Sequence, residues 1–171
     1  TEDFAYAKSM DRSSKLLASS KKKDDKYACM VAPFMLDKSH PLCNVNDVFN
    51  SVFVHGNMLG DAMFYGSGAG KLPTASAVVA DIVAMVKHNG KNVSIDWLEE
   101  QMELVNYTEN TNRFFVRTTS EKAEVEAVFG DVEYVEGVVA GEFGFVTGVM
   151  KEAEFAEKIE KISCVSRIRL A

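Results

Sequence analysis

The sequence predicts an α+β protein: a helix-covered, mostly antiparallel sheet followed by a ferredoxin-like βαββαβ module. Short apolar runs that end in turn residues recur through the first half, at 27–36, 45–57 and 60–66. An amphipathic helical pattern at 73–88 follows them. Residues 112–171 then alternate strand, helix, strand, strand, helix, strand, the order that builds a small antiparallel sheet with two helices on one face.

Local chemistry sets the boundaries of each element. Residues 3–18 read as a helix, with acidic residues at its start, where they complement the helix dipole, and with Phe4, Ala7, Met10, Leu16 and Leu17 as apolar positions. The SSKKKDDK segment that follows reads as a solvated turn, because Asp24 and Asp25 neutralise the lysine run. YACMVAPFML is a strand ended by DKSHPL, VNDVFNSVFVHGN a second that closes in a His55-Gly56-Asn57 turn, and GDAMFYG a third. In the helix at 73–88, Ala75, Val78, Val79, Ile82 and Val86 share one face, Pro73 suits the first turn, and Asn89-Gly90 is the stop.

From 89 the pattern weakens, and residues 91–111 are assigned to a linker with Trp97 and Leu98 as isolated anchors. Beyond it, RFFVRTT, VEYVEGVVA, EFGFVTGVM and VSRIRLA read as strands, with SEKAEVEAVFG and KEAEFAEKIEKIS as helices. Ser120 is positioned to cap the first of these helices, and Phe155, Ile159 and Ile162 line one face of the second. The chain is thereby divided into 1–90, a linker at 91–111, and a module at 112–171.

At 171 residues the chain has room for one medium domain or two small ones, and 47% hydrophobic with 26% charged residues is an ordinary globular balance. A formal charge of −6 argues against a nucleic-acid or anionic-membrane partner, which calls for a basic surface. No apolar run approaches the ~20 residues that span a bilayer. Cys29, Cys43 and Cys164 lack CxxC spacing and fit free thiols in a reducing cytoplasm. TEDFAYAKSM opens inside a helical pattern without an initiator methionine; the expectation is a portion of a longer polypeptide, without a signal peptide.

The stretch FYGSGAGKLPTASAVVADIV is the densest candidate for chemistry. It is not a Walker A loop: Tyr65 stands where the leading glycine belongs, and Leu72 where a magnesium-binding hydroxyl belongs. Nor is it a dinucleotide fingerprint, because Gly66 and Gly68 are followed by Lys71 at the third glycine position. Two readings remain. Glycines feeding a helix N-terminus present free N–H groups and partial positive charge to an anion. The same residues also make a tight turn that lets helix and strand approach closely.

Other constellations carry less. His40 and Cys43 have H-x-x-C spacing with Cys29 nearby in sequence, too few ligands for a closed zinc site, so no metal is expected. His55 is assigned to a turn and His88 to a helix C-terminus. Phe114, Phe115, Phe129, Phe143 and Phe145 could form a base-stacking surface, but the glutamate-rich tail favours core and inter-domain contacts.

The longer string HPLCNVNDVFNSVFVHGNMLGDAMFYGSGAGKLPTASAVVADIV closely resembles the C-terminal half of the catalytic region of homoserine dehydrogenases. That family carries a similar HPL-VN-FN-FV segment followed by FYG-GAG-PTASAV-D, and the resemblance extends over 1–88, including DFAYAKSM and KLLA. It implies a parent enzyme that interconverts L-homoserine and L-aspartate 4-semialdehyde with NADP or NAD. Residues 1–90 would be the end of its catalytic and dimerisation domain, and 112–171 an ACT-like regulatory or oligomerisation module. By the same resemblance Gly70 is the cofactor contact, with Gly68 and Thr74 as further candidates that loop geometry alone could require.

The implied partners are a second copy joined through the sheet domain, a Rossmann domain upstream and an amino-acid effector. No catalytic residue is assigned: the family's catalytic lysine and dinucleotide fingerprint belong upstream, and Lys8, Lys15 and Lys71 read as surface or loop lysines. The chain alone is therefore expected to be inactive. The TTSEKAE turn lacks the D-x-P-G-like turn of typical ACT modules, which makes feedback through the tail an open expectation. The alternative is a stand-alone, non-catalytic amino-acid-binding or assembly module.

Overall fold

The N-terminal helix is shorter than its apolar pattern predicts. In a computed structural model, which describes residues 2–91 and 94–171, α1 spans Glu2–Ser9. Ser9 Oγ donates to the Tyr6 carbonyl at 2.8 Å, and Asp11, at φ 57°, turns the chain. The expected helix at 3–18 is thus replaced beyond Ser9 by β1 (Arg12–Lys23), which pairs antiparallel along its whole length with β2 (Lys26–Asp37). Neighbouring strand residues face opposite sides, so Leu17 packs near Ala32, Phe34 and Leu36 while Leu16 is exposed. Of the expected turn, only Asp24 and Asp25 lie in the hairpin loop, and the lysines before them belong to β1, which stands at one end of the strand order.

The next elements follow the predicted order. A 3-10 turn at Pro41–Asn44 leads to β3 (Phe49–Gly56), β4 (Gly60–Ser67) and α2 (Lys71–Lys87). β3 and β4 form a two-stranded antiparallel sheet, with Phe49 and Tyr65 stacked at 5.0 Å. Within the expected linker, Asn92 and Val93 lie outside the described residues. Its later part is anchored: Tyr27 N–H donates to Glu103 O and Val105 N–H to Tyr27 O, both at 2.9 Å, ahead of a 3-10 turn at Tyr107–Glu109.

The C-terminal string contains β5 (Thr111–Thr118), α3 (Lys122–Phe129), β6 (Glu133–Val135), β7 (Phe143–Val146), β8 (Met150–Lys151), α4 (Glu152–Ile159) and β9 (Cys164–Leu170). The strand order β9-β5-β7-β6, antiparallel throughout, is that of a ferredoxin-like sheet. β6 is shorter than the predicted 132–140, because the chain leaves the sheet after Val135 and Val138 and Val139 pack near Tyr6 instead. Ser120 does not cap α3; Glu121 holds the cap position without a side-chain bond, and Ser120 Oγ accepts the Ser163 N–H at 3.0 Å.

A parallel pairing outside the predicted plan joins the two ends of the sequence. Phe34 and Met35 of β2 pair with Arg169 and Leu170 of β9, which extends the sheet to the order β1-β2-β9-β5-β7-β6. By contacts the chain forms two compact units, Thr1–Cys43 with Met102–Ala171, and Asn44–Gln101. In the first unit, Phe114 and Phe115 point to opposite faces of β5 and found two cores. Phe114 stacks on Phe155 at 3.7 Å in a cluster with Val125, Phe129, Phe145 and Ile159. Phe115 meets Tyr6 of α1, together with Met35, Val146, Ile168 and Leu170. The phenylalanines considered above as a stacking surface are thus core residues, apart from the half-buried Phe143.

Candidate functional site

The connection from β4 to α2 consists of Gly68, Ala69 and Gly70. Gly68 is a close-approach position: a Cβ built there would meet Asn50 Nδ2 at 1.8 Å, and its N–H donates to the Val48 carbonyl at 3.3 Å. Gly70 caps α2 with φ 128° and ψ 148°, a backbone conformation essentially closed to other residues. Its carbonyl accepts the Thr74 N–H at 3.1 Å, which starts the helix. The three predicted cofactor residues are therefore consecutive parts of one turn, but their amides differ. Those of Gly68 and Thr74 are engaged within the turn, whereas the first helical amides, Lys71 and Leu72, precede any intrahelical carbonyl.

α2 carries no acidic residue in its first turn, and all its described side chains are exposed. The predicted apolar face is included: Val78, Val79, Ile82 and Val86 are 53–70% exposed. The strand pair is similar, with Val52 and Phe64 exposed at 62% and 67%. His55 lies within β3, not in the turn, its Nδ1 2.5 Å from Oδ1 of its cross-strand partner Asp61.

A polar cluster around β5, within the first unit, escaped the sequence reading. Arg117, almost fully buried, donates from Nε and Nη2 to Glu142 at 2.8 and 3.0 Å and from Nη1 to Asp3 at 2.9 Å. These bonds, Glu142's foremost, outweigh burial and hold the guanidinium proton more firmly than usual. The Tyr6 phenol beside it is pushed up by burial and then by the charge of Glu142. Arg117, directly after the apolar run Phe114–Val116, is the sequence signal, but neither acidic partner is near it in sequence. The TTSEKAE turn is tied to the start of β9: Thr118 Oγ1 donates to Ser163 O at 2.8 Å and accepts the Ser120 N–H at 3.0 Å.

The remaining candidates occupy structural positions. His40 Nδ1 accepts the Leu42 N–H at 3.1 Å, Cys43 is buried and Cys29 exposed. Among the described residues no group of three or more His, Cys, Asp or Glu is placed to hold a metal ion. Burial raises the Cys164 thiol, keeping it protonated. No described helix is long and apolar enough to cross a membrane.

Comparison with known proteins completes the description. A family model for homoserine dehydrogenase matches residues 1–83. The homoserine dehydrogenase of Bacillus subtilis is 40% identical over 87 residues, 51% of this chain and 20% of that protein. That of Lactococcus lactis is 58% identical over 57 residues, 33% of this chain and 13% of that protein. A crystal structure of the Thiobacillus denitrificans homoserine dehydrogenase superposes with a TM-score of 0.78 at 24% identity, over 99% of this chain and 45% of the other. That of Staphylococcus aureus at pH 7.0 gives 0.72 at 22% identity, over 99% and 44%. The fold is thus shared along nearly the whole chain, which spans a fifth or less of these curated relatives in sequence and under half of the solved chains. Residues 1–83 thus match the homoserine dehydrogenase family, and the chain as a whole is similar to a portion of that family's members.

Proposed function

We propose that the chain is the C-terminal portion of a cytoplasmic homoserine dehydrogenase, which interconverts L-homoserine and L-aspartate 4-semialdehyde in threonine and methionine biosynthesis. The observation that carries this reading is the family match over 1–83, which includes the whole glycine turn and most of α2. In this reading residues 1–90 close the catalytic and dimerisation domain, 91–111 link, and 112–171 form an ACT-like regulatory or oligomerisation module.

The turn at Gly68–Gly70 would border the cofactor. Its fit to a dinucleotide is supported by the glycine-only conformation of Gly70 and by the helix start behind it, which is free of acidic side chains. Gly70 would let the backbone approach, the Lys71 and Leu72 amides would donate to a phosphate or ribose oxygen, and Thr74 would offer an exposed hydroxyl one turn on. NADP or NAD, when bound, supplies or accepts the hydride. The uncovered apolar residues of α2 fit a helix that packs against a nucleotide domain encoded upstream, and the exposed strand faces fit a contact with a second copy.

Alone, the chain lacks the family's catalytic lysine and dinucleotide fingerprint and should not turn over homoserine. Joined behind the upstream region of the Bacillus subtilis enzyme in place of the matching segment, it should restore NAD(P)H-dependent reduction of aspartate semialdehyde. A folded, dimeric chimera without activity would sink the assignment, as would turnover by the chain on its own.

A further inference from the structure

β2 is flanked unevenly. On one side β1 pairs with it from end to end. On the other, two short parallel contacts hold it: the bridge between Tyr27 and Leu104, and the ladder from Phe34 and Met35 to β9. Tyr27 uses both its N–H and its carbonyl in the first, and the Met35 carbonyl accepts the Ala171 N–H in the second. Backbone groups alternate sides along a strand, so those of Cys29, Val31 and Pro33 point the same way as those of Tyr27 and Met35. Among the described residues no strand flanks β2 there. Proline fits such an edge, because its missing outward N–H breaks no ladder. A cavity of about 290 Å³ lies beside the gap, with Ala28, Met30 and Phe34 on one wall and Asn110 and Asn112 on the other. Lys21 lines it too, and its cross-strand partner is the small Ala28. Glu109, also on the wall, is held by Lys151 at 2.6 Å, while Lys21 has no carboxylate partner among the described residues.

We propose that this gap takes up an extended acidic segment of a partner protein, added to the sheet as a short parallel strand. Both existing neighbours on this side of β2 run parallel to it, and a segment placed in line between them runs the same way. In parallel pairing, the residue opposite Met30 donates its N–H to the Cys29 carbonyl and accepts the Val31 N–H. Its side chain shares the Met30 face, where Lys21 lies across Ala28. A glutamate at that position meets the charge of the lysine, and the open main-chain groups supply the affinity. Leu104 at one end and β9 at the other confine the insertion to a few residues. The site shares no residue with the glycine turn or with α3 and α4, so its failure would leave the dehydrogenase reading untouched.

The test is an NMR titration of the full 171-residue chain with the peptide acetyl-Val-Glu-Val-amide. Two control peptides carry glutamine in place of the glutamate, or the same glutamate N-methylated. The glutamate peptide should shift the Val31 amide saturably and slow its hydrogen exchange. N-methylation removes the donor to the Cys29 carbonyl and should abolish both effects. The glutamine peptide on the unaltered chain, and the glutamate peptide on Lys21→Ala, should bind about two- to five-fold more weakly, the worth of an exposed ion pair. Unsaturable shifts, equal binding of the N-methylated peptide, or undiminished binding by Lys21→Ala would each overturn the proposal. So would a Val31 amide that is protected in the free chain and loses protection on dilution, which would give this edge to a second copy.

Discussion

Arg117 and Glu142 form a two-point ion pair, Nε to Oε1 at 2.8 Å and Nη2 to Oε2 at 3.0 Å, with only 7% and 8% of their side chains exposed. The third donor, Nη1, holds Asp3, so one guanidinium ties α1 to the sheet. Replacing one member of a buried pair leaves the other charge uncompensated, a loss of about 3–5 kcal/mol. Arg117→Met should therefore show a much lower urea midpoint by circular dichroism. The double variant Arg117→Met, Glu142→Met should recover much of the loss, because it removes the buried carboxylate of Glu142 and leaves only Asp3, whose side chain is 30% exposed, without its partner. A double variant as unstable as the single one would mean that packing, not charge, dominates there.

Tyr6 adds a pH dependence. Its phenol is raised above the ordinary tyrosine value by burial and by Glu142, so the folded state holds that proton more tightly than the unfolded chain. The stability this provides is complete below the ordinary value and is lost as pH rises through the raised one. Urea midpoints measured from neutral into alkaline solution should fall, and in Tyr6→Phe that alkaline limb should flatten. Tyr134, also raised, remains as the internal control.

The two glycines of the turn should respond differently to alanine. At Gly68 the obstacle is the Asn50 side chain, which can swing aside at the loss of its own weak bond to the Val48 carbonyl. Asn50→Ala should therefore rescue Gly68→Ala. At Gly70 the obstacle is the backbone angle, which no neighbour can relieve, and the strain is of the order of 1–3 kcal/mol. Hydrogen exchange in the first turn of α2 measures both: faster exchange should persist in Gly70→Ala with Asn50→Ala but return to normal in the Gly68 pair.

Phe155 tests the module's core. It is 3% exposed and stacks on Phe114, with Phe129 at 6.1 Å. Phe155→Ala should cost about 3–5 kcal/mol by chemical denaturation. A loss below 1 kcal/mol would mean that α4 contributes little to the folded module.

What was legible in the chain follows from the range of the forces involved. The βαββαβ order and α2 are visible because their apolar periodicities are local. Residues 10–23 mislead because Leu16 and Leu17 fit a helical stripe, and only the partner strand β2, with its register from Arg12↔Asp37 to Lys23↔Lys26, decides for strand. The glycine turn stands out by composition. Asn50, which explains Gly68, sits on another strand and gives no local signal. Glu142 and Asp3 are distant from Arg117 in sequence for the same reason, and Glu152 meets Arg169 only once α4 and β9 are adjacent.

The parallel ladder between Phe34–Met35 and Arg169–Leu170 makes the last strand a structural neighbour of the second. Excising the tail is therefore not like unplugging an accessory: it would strip β2 of a flank and uncover Met35, now fully enclosed. A lineage that shed this module would have to rebuild the surface it left behind.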